Sequence, residues 1–160
     1  MLFKPELAQL ILTGLKTQTR RLVQPSDHPF RDAESGAILW ITRLTKRGWQ
    51  MCYGRADSRG IDYAVCPGRG KRQVGRIRII QIRLERLQDI SEEDALAEGL
   101  RTVSTADGTT TMYYLLNRTA ALSICPFEAL AIAWDSLNRK RGERWEDNPL
   151  VWALTFEVAK

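Results

Sequence analysis

The sequence predicts an α+β protein whose mostly antiparallel strands form a small closed or half-open β-barrel, with flanking helices over its ends. Two observations carry this prediction: strand patterns outnumber helix patterns, and several strands are separated only by short turns. A chain of 160 residues fits one compact domain, 1–160, and leaves little room for two. The contents of 44% hydrophobic and 27% charged residues are typical of an ordinary globular protein.

The chain begins with a short strand at residues 2–3 and then a helix. Pro5 suits the first turn of that helix, where its missing N–H costs nothing, and Gly14 offers the C-terminal stop. The apolar residues at helical spacing are Leu7, Leu10 and Ile11. Residues 16–23, KTQTRRLV, alternate β-branched and polar side chains and predict a turn followed by a strand.

The middle of the chain reads as further strands and loops. Residues 24–36 are rich in Pro, Asp, Ser and Gly and are predicted to form a loop. Residues 37–44 and 48–53 predict two strands with a hairpin-style connection, and residues 54–60 predict another loop. Residues 61–75 predict a short strand followed by a loop rich in Gly, Arg and Lys.

A long strand and an acidic helix are predicted next. Residues 76–87, RIRIIQIRLERL, alternate Arg with Ile or Leu, so one face of the strand should be buried. Ser91 is predicted to cap a helix whose first turn carries three acids, which the helix dipole favours. Gly99 is predicted to end it.

The C-terminal part predicts one further helix and a closing strand. Residues 101–112 are predicted as a polar loop, and residues 113–124 as helical or irregular. Residues 126–138 predict an amphipathic helix, and residues 139–149 a charged loop. The predicted apolar stripe of the helix holds Phe127, Leu130, Trp134 and Leu137. Residues 150–158 are apolar on both faces, which predicts a central, buried strand.

Composition limits the possible functions. The net charge of +5 and the pI of about 9.4 favour polyanionic partners such as nucleic acid or nucleotides, although many small basic domains bind nothing anionic. Three widely spaced cysteines argue against a disulfide framework or a structural zinc site and fit a reducing cytoplasm. His28 is the single histidine, so any catalysis must use Lys, Thr, Ser, Tyr, Asp or Glu. No apolar run approaches the ~20 residues that span a bilayer, so no membrane partner is expected.

Residues 13–21, TGLKTQTRR, concentrate cations and hydroxyls directly after the first helix. In a purely structural interpretation, Lys16 stabilises the last carbonyls of that helix by roughly 0.3–1 kcal/mol, and the rest forms a basic strand. In a functional interpretation, the segment is the floor of a site for an anionic ligand. In an ideal strand Lys16 and Thr19 would lie on opposite faces, so they share a site only if the chain turns at Lys16 or Thr17.

Two further features could carry chemistry. Glu98 sits in the last turn of its predicted helix, where the dipole disfavours a carboxylate. Such breaks of a local rule sometimes mark sites, although an exposed glutamate that tolerates the cost is the simpler interpretation of Glu98 taken alone. From Arg69 to Arg86 the chain has seven cations and the single acid Glu85. That segment could contact phosphates without sequence specificity, or it could be a solvated face partly paired with Glu85 and Asp89.

The aromatic residues divide into two groups. Trp134 and Trp152 are predicted to lie in the core. Four others could stack a nucleobase, although such residues more often fill a small core. These four are Trp40, Trp49, Tyr53 and Tyr63.

Three segments together resemble the ASCH domain (the activating-signal-cointegrator homology domain) of the PUA-like superfamily. ILTGLKTQTRR resembles the G-x-K-T-x-T-x-R motif of that family, and VGRIRIIQIRLERLQDISEEDALAEGL resembles its following strand and acidic helix. WDSLN and NPLVWALTFEV resemble its C-terminal helix and last strand, in the form common in phage and prophage members. The resemblance covers nearly the whole chain except residues 24–60.

The resemblance implies a PUA-like barrel with a cleft at its helical side and RNA or nucleoside ligands. One branch of the family is similar to a metal-independent amidohydrolase that acts on N4-acetylcytidine and needs no cofactor. Its functional residues correspond here to Lys16 as the base, Thr19 as the nucleophile and Glu98 as the proton shuttle. For that role the pKa of Lys16 must be depressed, which burial beside Arg20 or Arg21 could supply. Ligand or phosphate contacts are expected from Thr17, Arg20, Arg21, Arg69, Lys71, Arg76 and Arg78.

Three functions therefore stay open. The first is hydrolysis of an amide on a modified nucleoside, the second is non-catalytic RNA binding, and the third is metal-independent cleavage of RNA by a lysine and a glutamate. The acetylcytidine-acting members are shorter, and this chain adds long segments around residues 24–60 and 101–125. These segments could cover the cleft, widen it for a polynucleotide or abolish activity.

Overall fold

The computed structural model describes residues 1–115 and 122–159 and is α+β, with mostly antiparallel sheets. The helices are α1 (Pro5–Leu12), α2 (Ala56–Arg59), α3 (Glu92–Ala97) and α4 (Pro126–Leu137). The strands are β1 (Gln18–Leu22), β2 (Asp27–Arg31), β3 (Ile38–Thr45), β4 (Gly48–Gly54), β5 (Asp62–Val65), β6 (Gly75–Arg86), β7 (Leu100–Ser104), β8 (Thr111–Leu115) and β9 (Leu150–Val158). None of these helices is long and apolar enough to cross a membrane.

The largest sheet has the strand order β1-β9-β6-β5, and all of its pairs are antiparallel. Strand β9 lies between β1 and β6, which confirms the predicted central strand at residues 150–158. Its side chains from Val151 to Leu154 are buried on both faces of the sheet. A strand with two apolar faces can bury both only when neighbouring strands and packed layers surround it.

The period-two pattern of β6 is confirmed, with one irregularity. Ile77 and Ile79 are fully buried, but the next buried residue is Ile82, an odd number of positions further along. The register with β9 shifts between Ile79 and Gln81, so a bulge exchanges the two faces at this point. Ile80, at the bulge, is therefore left 47% exposed.

A second sheet has the strand order β2-β3-β4. The hairpin β3–β4 was predicted, but the prediction of a loop over residues 24–36 was wrong in part, because β2 occupies Asp27–Arg31. Pro29 is tolerated because β2 is an edge strand and its second side needs no ladder partner. The buried carboxylate of Asp27 accepts hydrogen bonds from Arg43 Nε at 2.5 Å and from Trp152 Nε1 at 2.7 Å.

Two other predicted loops also contain regular structure. Residues 54–60 include the single-turn helix α2, which ends at Gly60 in the left-handed conformation with φ 61°. Residues 101–112 were predicted as a polar loop, but they form most of the hairpin β7–β8. Of the segment 113–124, residues 113–115 complete β8, while residues 116–121 lie outside the described part of the chain. The sequence of β7, LRTVS, lacks the apolar alternation by which strands are predicted.

The described strands form separate hydrogen-bonded sheets of four, three and two strands, so the closed or half-open barrel stays a prediction. The helices α1, α3 and α4 pack over the four-stranded sheet around one apolar cluster. In α4, Leu130 and Trp134 are buried as predicted, but Phe127 and Leu137 are 37% and 53% exposed. The buried face of α4 is turned towards Ala129 and Ala133, whose small side chains allow close packing.

A second apolar cluster fills the space between the two larger sheets. Trp152 and Leu154 of β9 contact the inner face of the three-stranded sheet there. The members are Ile38, Ile41, Ile79, Ile82, Trp152 and Leu154. The indole of Trp152 is 1% exposed and carries the hydrogen bond to Asp27, so it connects the sheets by packing and by a polar contact.

We expect Trp152→Phe to lower the free energy of unfolding by about 1–3 kcal/mol, because it removes a buried ring and a hydrogen bond to a buried carboxylate. Denaturant unfolding measures the change. Trp49→Phe is the matched control, since Trp49 is 61% exposed and should change stability by no more than about 0.5 kcal/mol. Equal losses in the two variants would contradict the role assigned to Trp152.

Candidate active site: a buried ion-pair network beside a cleft

The segment 13–21 turns sharply before it enters β1. Helix α1 ends at Leu12, Gly14 adopts φ 74°, and the backbone N–H groups of Leu15 and Lys16 both donate to Leu10 O. Lys16 therefore precedes the strand, which begins at Gln18. This turn removes the conflict with strand alternation, so Lys16 and Thr19 line the same cavity.

The ammonium group of Lys16 is almost completely buried, with the residue 2% exposed. Its Nζ donates to Glu98 Oε2 and to the main-chain oxygen of Glu98, both at 2.6 Å. The close approach depends on Gly99, which has φ 105°; a Cβ there would lie 3.1 Å from Leu10 Cδ1 and 3.5 Å from Lys16 Cβ. The glycine predicted to end α3 therefore also leaves space for the lysine.

The unfavourable position of Glu98 at the end of α3 has a structural explanation. Glu98 is the residue directly after α3, and its carboxylate is held by Lys16 and, through Oε1 at 3.2 Å, by Arg20 Nη1. The two cations offset the repulsion between the carboxylate and the negative end of the helix dipole. Lys16 also satisfies one terminal carbonyl of the helix.

Arg20 was predicted to contact a ligand, but its guanidinium is surrounded by carboxylates. Nε donates to Glu85 Oε1 at 2.9 Å, and Nη2 donates to Asp94 Oδ2 at 2.9 Å. With Glu98, three acids share this one buried side chain. Arg20 therefore orients Glu98 from the protein side of the cavity rather than offering free donors to a ligand.

The ion-pair network extends beyond the residues that the sequence indicated. Arg83 contacts Asp94 Oδ2 and Glu85 Oε2, and Gln18 Nε2 donates to Asp94 Oδ1 at 2.6 Å. Three cations thus face three carboxylates: Lys16, Arg20 and Arg83 against Glu85, Asp94 and Glu98. The charges balance, as buried ions require. Glu85 is the single acid in the basic segment 69–86, and this exception was the sequence signal that could have indicated its part in the network.

Burial lowers the pKa of Lys16 below the ordinary lysine value of 10.5. The positive charges of Arg21 and Arg20 lower it further, while the Glu98 carboxylate opposes the shift. This direction agrees with the expectation that the pKa of a lysine acting as a base must be lowered towards neutral pH. Burial alone would raise the pKa of Asp94, but hydrogen bonds from Gln18 and Arg83 outweigh it and hold that pKa below 3.8.

A cleft of about 380 Å³ opens beside the network, between β1 and the helices. Its polar lining residues are Lys4, Lys16, Thr19, Arg20, Arg21, Glu98 and Asn138. Its apolar side includes Phe3, Leu7, Leu87, Leu130, Ala133 and Trp134. A volume near the lower end of the usual range of roughly 300–1,000 Å³ fits one small ligand, with apolar walls for a ring and few polar groups to orient it.

Arg21 is one of two cleft cations, with Lys4, that are available to a ligand. Its Nη2 donates to Leu2 O at 2.8 Å, and the guanidinium carbon lies 5.1 Å from the centre of the Phe3 ring. Within residues 1–115 and 122–159 no carboxylate forms an ion pair with it. Guanidinium donors that are oriented but not neutralised suit a phosphate or a carbonyl oxygen.

The other predicted ligand-binding residues lie away from the cleft. Thr17 uses its backbone to join Ala97 and Phe156, while Arg69 and Lys71 are exposed in the loop before β6. Arg76 Nη2 donates to Asp62 O at 2.6 Å, and Arg78 pairs with Asp62 and Glu157. The structure thus brings together Lys16, Thr19, Arg20, Arg21 and Glu98, and leaves Thr17, Arg69, Lys71, Arg76 and Arg78 outside.

Comparisons with known proteins identify the fold rather than a function. Neither a protein-family model nor a curated protein matches the sequence. The chain is similar to a crystal structure of a protein from Enterococcus faecalis V583, of the family described as DUF984, with a TM-score of 0.50 and 16% identity. The match covers 96% of this chain and 69% of that chain. At this identity the similarity concerns the course of the backbone alone.

We expect Arg20→Ala to lower the free energy of unfolding by about 3–5 kcal/mol, because it leaves buried carboxylates without their shared cation. Arg72→Ala is the control, since Arg72 is exposed in the loop before β6. Urea unfolding of both variants checks this. A loss from Arg20→Ala no larger than that from Arg72→Ala would mean that the network does not stabilise the fold.

Acid should weaken the network through Asp94. Its pKa is depressed in the folded protein, so its contribution is fully present above the unfolded pKa near 3.8 and is lost as pH falls through the lower folded pKa. We therefore expect the stability difference between the wild type and Asp94→Asn to be largest near neutral pH and to shrink below pH ~4. Thermal unfolding at a series of pH values measures it, and a difference independent of pH would contradict the assignment.

Proposed function

We propose that the cleft binds a modified nucleoside and hydrolyses an amide on its base, with Lys16, Thr19 and Glu98 as the reacting groups. The observation that carries the proposal is the convergence of these side chains on one small cleft, with Lys16 Nζ 2.6 Å from the Glu98 carboxylate. The acetylcytidine-acting branch of the ASCH family, which the sequence resembles, uses the same three residue types. An acylated cytidine is therefore the substrate class that we favour.

The contacts support a division of roles. In the neutral form of the pair, the proton between Lys16 and Glu98 lies on the carboxyl group, which leaves an uncharged amine as base and a carboxylic acid as proton donor. Burial favours the uncharged amine in that form, because it lowers the pKa of Lys16. Transfer of one proton across a 2.6 Å contact thus produces the base and the acid together.

Hydrolysis would proceed in two balanced stages. Lys16 takes the hydroxyl proton of Thr19, whose Oγ1 attacks the amide carbonyl, and Glu98 gives its proton to the departing amine. The acyl group is then an ester on Thr19. Glu98 takes a proton from a water molecule whose oxygen attacks the ester, and Lys16 returns its proton to Thr19 Oγ1 as the acyl group leaves as a carboxylic acid. Arg21 at the cleft can stabilise the negative oxygen of the tetrahedral intermediate or hold a phosphate.

The walls of the cleft support a nucleobase as the bound group. Trp134 lines it with its indole N–H already donated to Glu143 O at 2.7 Å, so the ring presents only an apolar surface. A flat heterocycle can pack there while its polar edge meets the charged side. Partial closure of a PUA-like barrel belongs to the same proposal, and the isolated parallel bridge between Arg55 and Ile79 supports it, because it joins the end of β4 to β6.

The test is incubation with N4-acetylcytidine and chromatographic detection of cytidine. We expect turnover by the wild type and a loss of at least ~100-fold in Lys16→Ala, Thr19→Val and Glu98→Gln. Thr13→Val is the control for Thr19→Val, since Thr13 is exposed and does not line the cleft. We also expect kcat/KM to rise with pH through the lowered pKa of Lys16, because the amine must be uncharged.

The other outcomes separate the alternatives. RNA retained on the protein with steep salt dependence but without turnover would contradict the hydrolase and support a non-catalytic RNA-binding module. RNA fragmentation that is lost in Glu98→Gln would support a ribonuclease. Unchanged binding and activity in both Lys16→Ala and Glu98→Gln would overturn the site assignment itself.

A further inference from the structure

The outer face of the β2-β3-β4 sheet carries a row of aromatic rings that no part of the cleft uses. His28 lies 5.1 Å from Phe30 and 6.1 Å from Trp49, both in edge-on geometry. Phe30 is stacked on Trp40 with centroids 5.0 Å apart. The strand register places these rings on one face of the sheet, because Phe30 is opposite Trp40 and Trp49 is opposite Leu44 on the same face. We call His28, Phe30, Trp40 and Trp49 the aromatic row.

The aromatic row is exposed to solvent at its Trp49 end and held by neighbouring side chains at its Trp40 end. Trp49 is 61% exposed and Phe30 is 39% exposed. Trp40 is held between Phe30 on one side and the guanidinium of Arg59 on the other, whose central carbon lies 4.1 Å from the ring centre. Large exposed rings on regular strands lose little conformational freedom on binding, which is what a stacking surface requires.

Cations without carboxylate partners surround the row. Arg59 stacks on Trp40, and Lys46 and Arg47 form the turn that leads to Trp49. None of these three forms an ion pair with a carboxylate within the described ranges. Nearby, Arg43 is paired with Asp27 and Arg55 with Asp57. Arg31 does not belong to this set, because it is opposite the buried Ile38 and lines a cavity against β6.

The charge decides which partner fits this surface. Exposed rings could also mark a contact between two copies of the chain, but in a two-fold contact the same unpaired cations would face each other. A polyanion with accessible neutral rings can stack those rings on the aromatic side chains and pair its negative charges with the cations. Single-stranded nucleic acid has this chemistry, whereas the bases of a duplex are already stacked on one another.

We propose that this outer face is a second binding site, which takes single-stranded RNA or DNA by stacking bases on the aromatic row and pairing phosphates with the surrounding cations. The site lies within residues 24–60, outside the part of the chain that resembles the ASCH family. It shares no residue with the lining of the cleft, so it can be present whether or not the cleft hydrolyses a nucleoside. It also gives a role to the segment that lengthens this chain.

The test is fluorescence anisotropy of labelled oligouridine and oligothymidine of about ten nucleotides, with a duplex of equal length for comparison. We expect Trp49→Ala and Phe30→Ala each to weaken single-strand binding about 5- to 100-fold. Trp49→Phe should retain most of the affinity. Ile132→Ala is the matched control, since Ile132 is 45% exposed on α4 and should bind as the wild type does.

The cations provide an independent readout. The affinity should fall as salt rises between about 50 and 200 mM, and Arg47→Gln should reduce the slope of log K against log salt by about 0.7, the value for one phosphate contact with a single strand. Conversion of N4-acetylcytidine by Trp49→Ala should equal that of the wild type, so failure here and failure of the proposed hydrolase are distinguishable.

Three results would overturn the proposal. The first is wild-type affinity for single strands in both Trp49→Ala and Phe30→Ala. The second is binding of duplex as tight as binding of single strands. The third is a wild-type dimer in sedimentation that dissociates in Trp49→Ala without any affinity for oligonucleotide, which would make the aromatic row a contact between copies of this chain.

Discussion

The need to compensate buried charge governs how helix α3 meets strands β1 and β6. Arg20 of β1 pairs with Glu85 of β6 and with Asp94 and Glu98 at the two ends of α3, and Lys16 completes the set through its pair with Glu98. Removing any one member leaves an uncompensated ion, so the elements can adopt only arrangements that preserve all the pairs. The network therefore fixes the floor of the cleft as well as the position of the helix.

The same buried residues can have a structural role and a chemical role, and the two roles are compatible. Lys16 satisfies a terminal carbonyl of α3 and neutralises Glu98, which is enough to explain its burial. The same burial lowers the pKa of Lys16 and places a potential base and a potential acid side by side next to a cleft. Arg20, bound to three acids, contributes by positioning, whereas Arg21 retains donors for a ligand.

The molecule presents two surfaces of different character. The cleft is small, with apolar walls beside the balanced ion-pair network and the unneutralised Arg21, and suits a single ring system. The outer face of the three-stranded sheet is open, aromatic and surrounded by unneutralised cations, and suits an extended polyanion. The predicted basic stripe of β6 is a weaker candidate than either, because Arg78 is paired with Asp62 and Glu157 and Arg76 is bound to a backbone oxygen.

The sequence by itself determined the elements with strong local patterns: helices α1, α3 and α4, strand β6 with its period of two, and the central position of β9. It also indicated Lys16, Thr19, Arg21 and Glu98, through a dense motif and a carboxylate at the wrong end of a helix. Only the tertiary structure decided the bulge near Ile80, strand β2 with its proline, and the partners of Glu98. Those features depend on which side chains meet across the fold, and contacts between residues 74 to 82 positions apart leave no periodic trace in the chain.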